Sequence, residues 1–112
     1  MTASQYITYP PTSIPAVAAT AGTQVSVSSV ATKVFSKTTG VQSVIIQNQG
    51  TVPVTVSQTS GVTVGNGAIL NACTTTADGT GGSITFANYC GDVYAISSGA
   101  TVNVGVQAIS AT

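Results

Sequence analysis

From Thr23 onward, apolar and polar residues alternate along most of the chain, and short turn-prone segments separate the alternating runs. In the run QVSVSSV, residues 24–30, Val25 and Val27 fall on one side of an extended strand and the intervening serine falls on the other. A two-residue period is typical of a strand with one buried face. The same alternation recurs in TVNVGVQAI, residues 101–109, so each of these runs predicts a β-strand.

Seven further runs between these two also predict strands: KVFS, VQSVIIQN, TVPVTVS, GVTVGNG, AILNAC, SITFANYC and DVYAIS. In VQSVIIQN, the consecutive Val44, Ile45 and Ile46 place apolar groups on both faces, which predicts a central strand or one covered by a partner. Pro53 cannot donate a backbone hydrogen bond, so TVPVTVS is predicted to be an edge strand or to turn Pro53 outward. Asn66-Gly67 favours a hairpin turn at the end of GVTVGNG.

The residue usage agrees with an all-β fold. Sixteen valines stand against one leucine, and the strong helix formers Glu and Arg are absent. Eight or nine short strands, with a turn every 8 to 12 residues, predict a sandwich or a small barrel. We therefore expect one domain over residues 23–112, an antiparallel β-sandwich with the jelly roll as a candidate arrangement.

Residues 1–22 differ from the rest of the chain. Prolines and tyrosines are concentrated there, followed by the alanine-rich AVAATAG, and proline biases its neighbours toward extended backbone. One interpretation is a frayed terminus. The other is an arm that crosses to a neighbouring subunit, because tyrosine combines an apolar ring with a polar tip that suits an interface. The residues predicted to make that contact are Tyr6, Ile7, Tyr9, Pro10 and Pro11.

Charge is almost missing, and this narrows the chemistry. The chain has no His, Arg or Glu, and its only charged side chains are Lys33, Lys37, Asp78 and Asp92, which is 4% of residues. Nucleophilic catalysis needs a base beside the nucleophile, and nucleic-acid binding needs several cations to contact phosphates. A helical membrane span needs about 20 consecutive apolar residues, and no such run occurs. We expect neither an enzyme, nor a nucleic-acid-binding protein, nor a membrane protein.

The few ionisable groups leave two minor alternatives open. Ser36 lies between Lys33 and Lys37, the arrangement from which a Ser-Lys nucleophile is built, although charge at a solvated strand end explains the lysines equally simply. Asp78 and Asp92 have the oxygen ligands that Ca²⁺ prefers. A turn-stabilising role for Asp78, which precedes Gly79, is the commoner explanation.

The two cysteines, Cys73 and Cys90, lie on either side of the glycine-rich segment ADGTGGS. If residues 69–76 and 83–90 form a hairpin centred between Gly81 and Gly82, the cysteines are directly opposite each other, at a spacing that a disulfide accepts. Two small thiols that remain reduced are the alternative. Two cysteines without His cannot complete a tetrahedral metal shell, so no metal or other cofactor is expected.

Three stretches together carry a resemblance: VIIQNQGTVPVTVS, GVTVGNG and GDVYAISSGATVNVGVQ. The pattern of an apolar strand, an Asn-x-Gly turn, a valine-rich strand and a final hairpin resembles small virion proteins of tailed bacteriophages. That resemblance implies a capsid decoration, or cement, protein on the virion surface, made in the host cytoplasm. It implies as partners the major capsid protein and sister copies, in a homo-oligomer for which a trimer is favoured.

Two properties of the residues agree with such a role. Exposed sheet edges are usually protected by charge, but the outward positions of these strands are Ser, Thr, Asn and Gln. In addition, a net charge of zero gives no electrostatic repulsion between copies. We therefore expect the edges to be covered in an assembly. A tail or fibre module that binds host-surface glycans is the alternative, with the loop ADGTGGS presenting recognition groups.

Overall fold

The computed structural model describes residues 17–19 and 22–111. These residues form two antiparallel sheets, which we call sheet A and sheet B. Sheet A contains β1 (Val17–Ala19), β2 (Thr23–Val27), β4 (Val41–Asn48), β7 (Ser83–Ala87) and β9 (Val102–Ala111). Sheet B contains β3 (Thr32–Phe35), β5 (Val54–Ser57), β6 (Ala68–Leu70) and β8 (Val93–Ser97).

The pairing of the strands follows a nested order. In sheet A, β1 and β2 share one side of β9, β4 lies on the other side of β9, and β7 follows β4; in sheet B the order is β3-β8-β5-β6. The pairs β2–β9, β3–β8, β4–β7 and β5–β6 therefore enclose one another, as if one long hairpin had been folded over itself. Eight strands in two sheets wrapped in this way are a jelly roll. The predicted β-sandwich is confirmed.

The core lies between the inner faces of the two sheets. Alternate residues of β9, namely Val102, Val104, Val106 and Ala108, point into it, and Val44 and Ile46 of β4 lie beside them. Burying a side chain of this size stabilises the fold by roughly 1.5–3 kcal/mol. The alternation in the sequence thus reports which face of each strand is buried. The predicted central position of β4 is confirmed, because β7 and β9 pair with its two sides.

A buried asparagine closes one end of this core. Asn48, the last residue of β4, is fully buried, and its side-chain nitrogen donates to the carbonyls of Val52 at 2.8 Å, Asn71 at 3.1 Å and Leu70 at 3.3 Å. Its side-chain oxygen accepts the backbone N–H of Gly50 at 2.9 Å. One side chain therefore ties the turn after β4 to the end of β6.

Several predicted strand relationships are wrong. Residues 101–109 form no hairpin with residues 92–97, because β8 lies in sheet B and β9 in sheet A. Of the two alternatives for TVPVTVS, the edge strand is wrong, since β5 pairs with both β6 and β8, whereas the outward position of Pro53 is confirmed: Pro53 is exposed and precedes the strand, where no ladder N–H is required. Within the segment predicted to be an arm, Val17–Ala19 forms a short strand against the end of β9.

The segment GVTVGNG is a loop and not a strand. A single bridge joins Thr63 to Asn66, and the turn lies at Val64 and Gly65, whose φ of 81° favours glycine, and not at Asn66-Gly67. The backbone N–H of Gly65 donates to Thr55 Oγ1 at 2.9 Å. Because Thr55 points away from the core on β5, this bond holds the loop against the outer face of sheet B. Part of that face is therefore covered by the chain itself.

Candidate interaction surface

No described segment of the chain covers the outer face of sheet A, and the strands of this sheet contain no charged side chain. None of the strands β2, β4, β7 and β9 contains Lys, Arg, Asp or Glu, and the side chains that point outward are mostly amides and hydroxyls. A shallow depression of about 400 Å³ lies on this face. We call its central part the glutamine face, which consists of Gln24, Ile45, Gln47, Gln49, Gly105 and Gln107.

The amides of the glutamine face are partly held in place. Gln24 Nε2 donates to Gln49 Oε1 at 2.7 Å, and Gln49 lies over Gly105. A Cβ atom at position 105 would approach Gln49 Nε2 to 2.6 Å, so glycine leaves the room that this amide occupies. Gln47 Nε2 donates to the carbonyl of Gly81 at 3.4 Å. The face thus presents ordered hydrogen-bonding groups around the half-buried Ile45, and burying it would desolvate no charge.

Three of the four charged residues lie together at the end of the sandwich where β4 begins. Lys33 Nζ is 3.6 Å from Asp92 Oδ2 and 5.8 Å from the ring centroid of Tyr94. Asp92 Oδ1 accepts the backbone N–H of Lys37 at 2.6 Å. The ion pair is partly exposed, and such pairs contribute about 0–1 kcal/mol. Asp92 therefore fixes the position of the segment after β3 by a hydrogen bond to its backbone, and the same carboxylate is the ion-pair partner of Lys33.

Asp78 lies in the loop between β6 and β7, at the opposite end of the sandwich. Its carboxylate accepts the side-chain O–H of Thr80 at 2.6 Å, the backbone N–H of Thr80 at 2.9 Å and the backbone N–H of Thr75 at 2.8 Å. These bonds to Thr80 and Thr75 hold the pKa of Asp78 well below its usual range. The turn-stabilising interpretation agrees with this geometry.

The shared Ca²⁺ site is not formed by the described residues. Asp78 follows Ala77, whose N–H bonds to Gln49 beyond the end of β4, whereas Asp92 lies near the start of β4. No group of three or more His, Cys, Asp or Glu side chains comes together in residues 22–111. The two aspartates are separated because the eight residues of β4 lie between their loops.

The predicted hairpin that places the two cysteines opposite each other is also wrong. β6 pairs with β5 and β7 pairs with β4, so residues 69–76 do not face residues 83–90. Cys73 is buried and its thiol donates to the carbonyl of Asn48 at 3.3 Å, whereas Cys90 is next to Tyr89, whose N–H bonds to Gln42. From Gln42 to Asn48, an extended strand at about 3.3 Å per residue covers roughly 20 Å. Both thiols are free, as the alternative interpretation held, and they lie too far apart for a bridge.

Asn48 is a buried polar residue that the alternation of apolar residues does not predict, because NQG, residues 48–50, predicts only a turn. A signal was available. Asn48 has the same parity as Val44 and Ile46 along β4, so its side chain had to point into the core, where a buried amide requires partners.

The remaining predicted contact residues, Tyr6, Ile7, Tyr9, Pro10 and Pro11, lie outside the described residues. Within the described part of the chain, no helix is long and apolar enough to span a membrane. Comparison with known proteins finds no matching family model, no similar curated protein and no similar solved structure. The interpretation of function therefore depends on the surface of the molecule.

Proposed function

We propose that this chain is a structural virion protein, a capsid decoration subunit that stabilises a bacteriophage head through protein–protein contacts. The observation that carries the proposal is the charge-free outer face of sheet A, which no described segment of the chain covers. The jelly roll occurs in viral capsid domains and also in lectins, so the fold agrees with the proposal without deciding it.

The chemistry of the glutamine face suits a permanent protein partner. Burying a charged group without a partner costs several kcal/mol, whereas an amide needs only a hydrogen-bond partner across the interface. The cores of stable interfaces are likewise depleted of charged residues. In this proposal the face contacts the major capsid protein, and Gln47 and Gln107 hydrogen-bond to it around Ile45. No catalytic step is part of this role.

The proposed assembly also contains sister copies. Residues 1–22 supply an arm whose Tyr6, Ile7 and Tyr9, with Pro10 and Pro11, contact a neighbouring subunit, and the resemblance to phage virion proteins favours a trimer. The protein would be made in the host cytoplasm and end on the capsid surface. Deletion of residues 1–16, which leaves β1 intact, tests the arm: the proposal requires a smaller oligomer by light scattering, and an unchanged mass contradicts it.

Binding to capsids tests the main proposal. Phage heads assembled without this protein are incubated with the purified chain, and occupancy is measured after sedimentation. Because Ile45 and Gln107 are directly opposite each other on the glutamine face, Ile45→Lys or Gln107→Lys introduces a charge that the interface would have to desolvate, and at least tenfold weaker binding is expected. Thr59→Lys is the control, since Thr59 is exposed in the loop after β5.

Two results would contradict the proposal. If heads from the virus that encodes this chain never contain it, it is not a decoration subunit. If Ile45→Lys and Gln107→Lys both bind as well as the Thr59→Lys control, another surface makes the contact.

A glycan-binding module of a tail or fibre remains a second candidate, and the depression on the glutamine face is the observation that favours it. Amide side chains bind sugar hydroxyls, and Ile45 offers an apolar contact. However, the described residues that line the depression include no aromatic ring on which a sugar could stack. Binding on a glycan array that Gln107→Ala abolishes, together with absence from the head, would favour this candidate over the decoration protein.

A further inference from the structure

The free edge of β7 is less protected than the other sheet edges of the described residues. At the edge formed by β3, Lys33 and an irregularity in the register between Lys33 and Phe35 oppose further pairing. The edge strand β6 is only three residues long. By contrast, β7 has five residues without charge or proline and a regular register against β4.

The opposite edge of sheet A offers fewer free backbone groups. The backbone N–H of Gln49 donates to the carbonyl of Asn103, and this pair continues the register between β4 and β9. Because hydrogen-bonded pairs alternate along the ladder, the odd-numbered residues of β9 are the ones that bond to β4. The even-numbered residues of β9 then bond to Thr23, Val25 and Val27 of β2. This leaves only Gln24 and Ser26 with outward backbone groups in β2.

The register of β7 shows which of its backbone groups point outward. Asn48 N–H donates to the carbonyl of Gly82 at 2.9 Å, and this pair continues the register in which Ile46 faces Ile84 and Val44 faces Phe86. Hydrogen-bonded pairs alternate along an antiparallel ladder. The N–H and C=O groups of Ser83, Thr85 and Ala87 therefore point away from β4, toward the open edge.

These outward groups match a second copy of themselves. If two β7 strands run antiparallel with Thr85 opposite Thr85, Ser83 is opposite Ala87 in both halves of the pair. Each of the three facing pairs is then a hydrogen-bonded pair, which gives six backbone bonds and leaves none of the outward groups of the edge unmatched.

The side chains agree with the same register. Ile84 and Phe86 point toward the core but are only half-buried at this edge. In the symmetric pair, Ile84 of one copy faces Phe86 of the other on the inner face, and pairs of aromatic and β-branched residues stabilise sheets. On the outer face, Thr85 faces Thr85, again a favourable pair. No charge opposes a like charge anywhere along the strand.

We propose that two copies of this chain pair through their β7 edges, antiparallel and centred on Thr85, so that their five-stranded sheets join into one. This goes beyond the proposed capsid role. The contact is isologous, so it forms a dimer with two-fold symmetry. In an assembly of trimers it links one trimer to the next. It also places two glutamine faces side by side on one continuous sheet.

Cysteine cross-linking tests the register. In a Cys73→Ser, Cys90→Ser background, Thr85→Cys puts two thiols across the two-fold axis with Cα atoms about 5.5 Å apart, a spacing that a disulfide accepts. The proposal expects the covalent dimer to form at least tenfold faster than in the Thr59→Cys control. Ser83→Cys and Ala87→Cys should cross-link slowly when separate and rapidly when mixed.

A second variant keeps the proposal falsifiable if the cysteine background folds poorly. Thr85→Lys in the otherwise unchanged chain places two cations opposite each other, so light scattering at increasing protein concentration should show loss of the dimer that the parent chain forms. The proposal is wrong if Thr85→Cys cross-links no faster than the control, if Ser83→Cys alone cross-links as fast as the mixture, or if the parent chain shows no concentration-dependent increase in mass.

These measurements use the isolated chain and need no capsid. A negative result for the β7 pairing therefore does not contradict the capsid proposal. Conversely, absence of this protein from phage heads would not contradict the β7 pairing.

Discussion

At the scale of single residues, Asn48 shows how much a jelly roll of this size depends on one polar side chain. Its side chain serves four backbone groups from two segments of the chain, and its backbone carbonyl accepts a hydrogen bond from the thiol of Cys73. The loop before β7 packs against the same place, because a Cβ atom at Gly81 would collide with the Asn48 carbonyl. Asn48 thus joins β4 to the loop that follows it and to the loop between β6 and β7.

We expect Asn48→Ala to lower the free energy of unfolding by about 3 kcal/mol, because it leaves buried carbonyls without donors and opens a cavity. Asn48→Asp should be no better, since a carboxylate cannot donate to those carbonyls. Urea denaturation measures the change, with the exposed Asn103→Ala as the control. A loss no larger than that of the control would show that water replaces the amide.

Asp78 predicts a particular pH dependence. Its pKa is lowered in the folded chain by the bonds from Thr80 and Thr75, so its contribution to stability is present above the unfolded pKa and is lost as the pH falls toward the folded value. Asp78→Asn should therefore destabilise the chain equally at pH 5 and pH 8, and the difference from the parent chain should shrink below about pH 4. Thermal denaturation across this range provides the measurement. A difference that grows on acidification would contradict the assignment.

At the scale of elements, the positions of the strands could be predicted and their partners could not. Alternation marks β2, β4 and β9 because burial on one face is a local property of a strand. Whether β8 and β9 share a sheet depends on contacts between distant residues, and a Ser-Ser-Gly-Ala turn allows either result. Valines at 62 and 64 resembled a strand because alternation does not distinguish a ladder from a loop that folds over a sheet.

The loop after β5 depends on one hydrogen bond that can be removed without changing the size of the side chain. Thr55→Val deletes the acceptor for Gly65 N–H and should lower the free energy of unfolding by about 1 kcal/mol. Hydrogen exchange at Gly65 should become faster, while exchange at β4 amides changes only with global stability. Thr51→Val, at an exposed position, is the control. Unchanged exchange at Gly65 would show that the buried Val62 holds the loop instead.

At the scale of the whole molecule, the distribution of charge separates two sides of the sandwich. Lys33 is on sheet B, Lys37 and Asp92 lie close to it, and Asp78 is in a loop, so sheet A is left without charge. The composition predicted an uncharged surface, but only the topology shows that it is the outer face of one sheet. No pattern in the sequence shows that Gln24 and Gln49, which are distant in the chain, meet over Gly105.

This distribution predicts how association responds to salt. Binding through the glutamine face or the β7 edge involves no charged residue, and the chain has no His that could titrate between pH 5 and pH 8. We expect dissociation constants, measured by analytical ultracentrifugation for self-association and by sedimentation with heads, to change by less than about twofold between 50 and 500 mM salt. A tenfold change in a dissociation constant would mean that Lys33 and Asp92 lie in the interface.

The position of β9 has a consequence for folding during translation. β9 runs through the middle of sheet A, with β4 on one side and β1 and β2 on the other, yet it is the last of these strands to be translated. Until the segment through Ala111 has left the exit tunnel, β2 has no neighbour to bond with and β4 lacks half of its ladder. A nascent chain interrupted before that point has no complete sheet A, so a prematurely terminated product would lack the glutamine face.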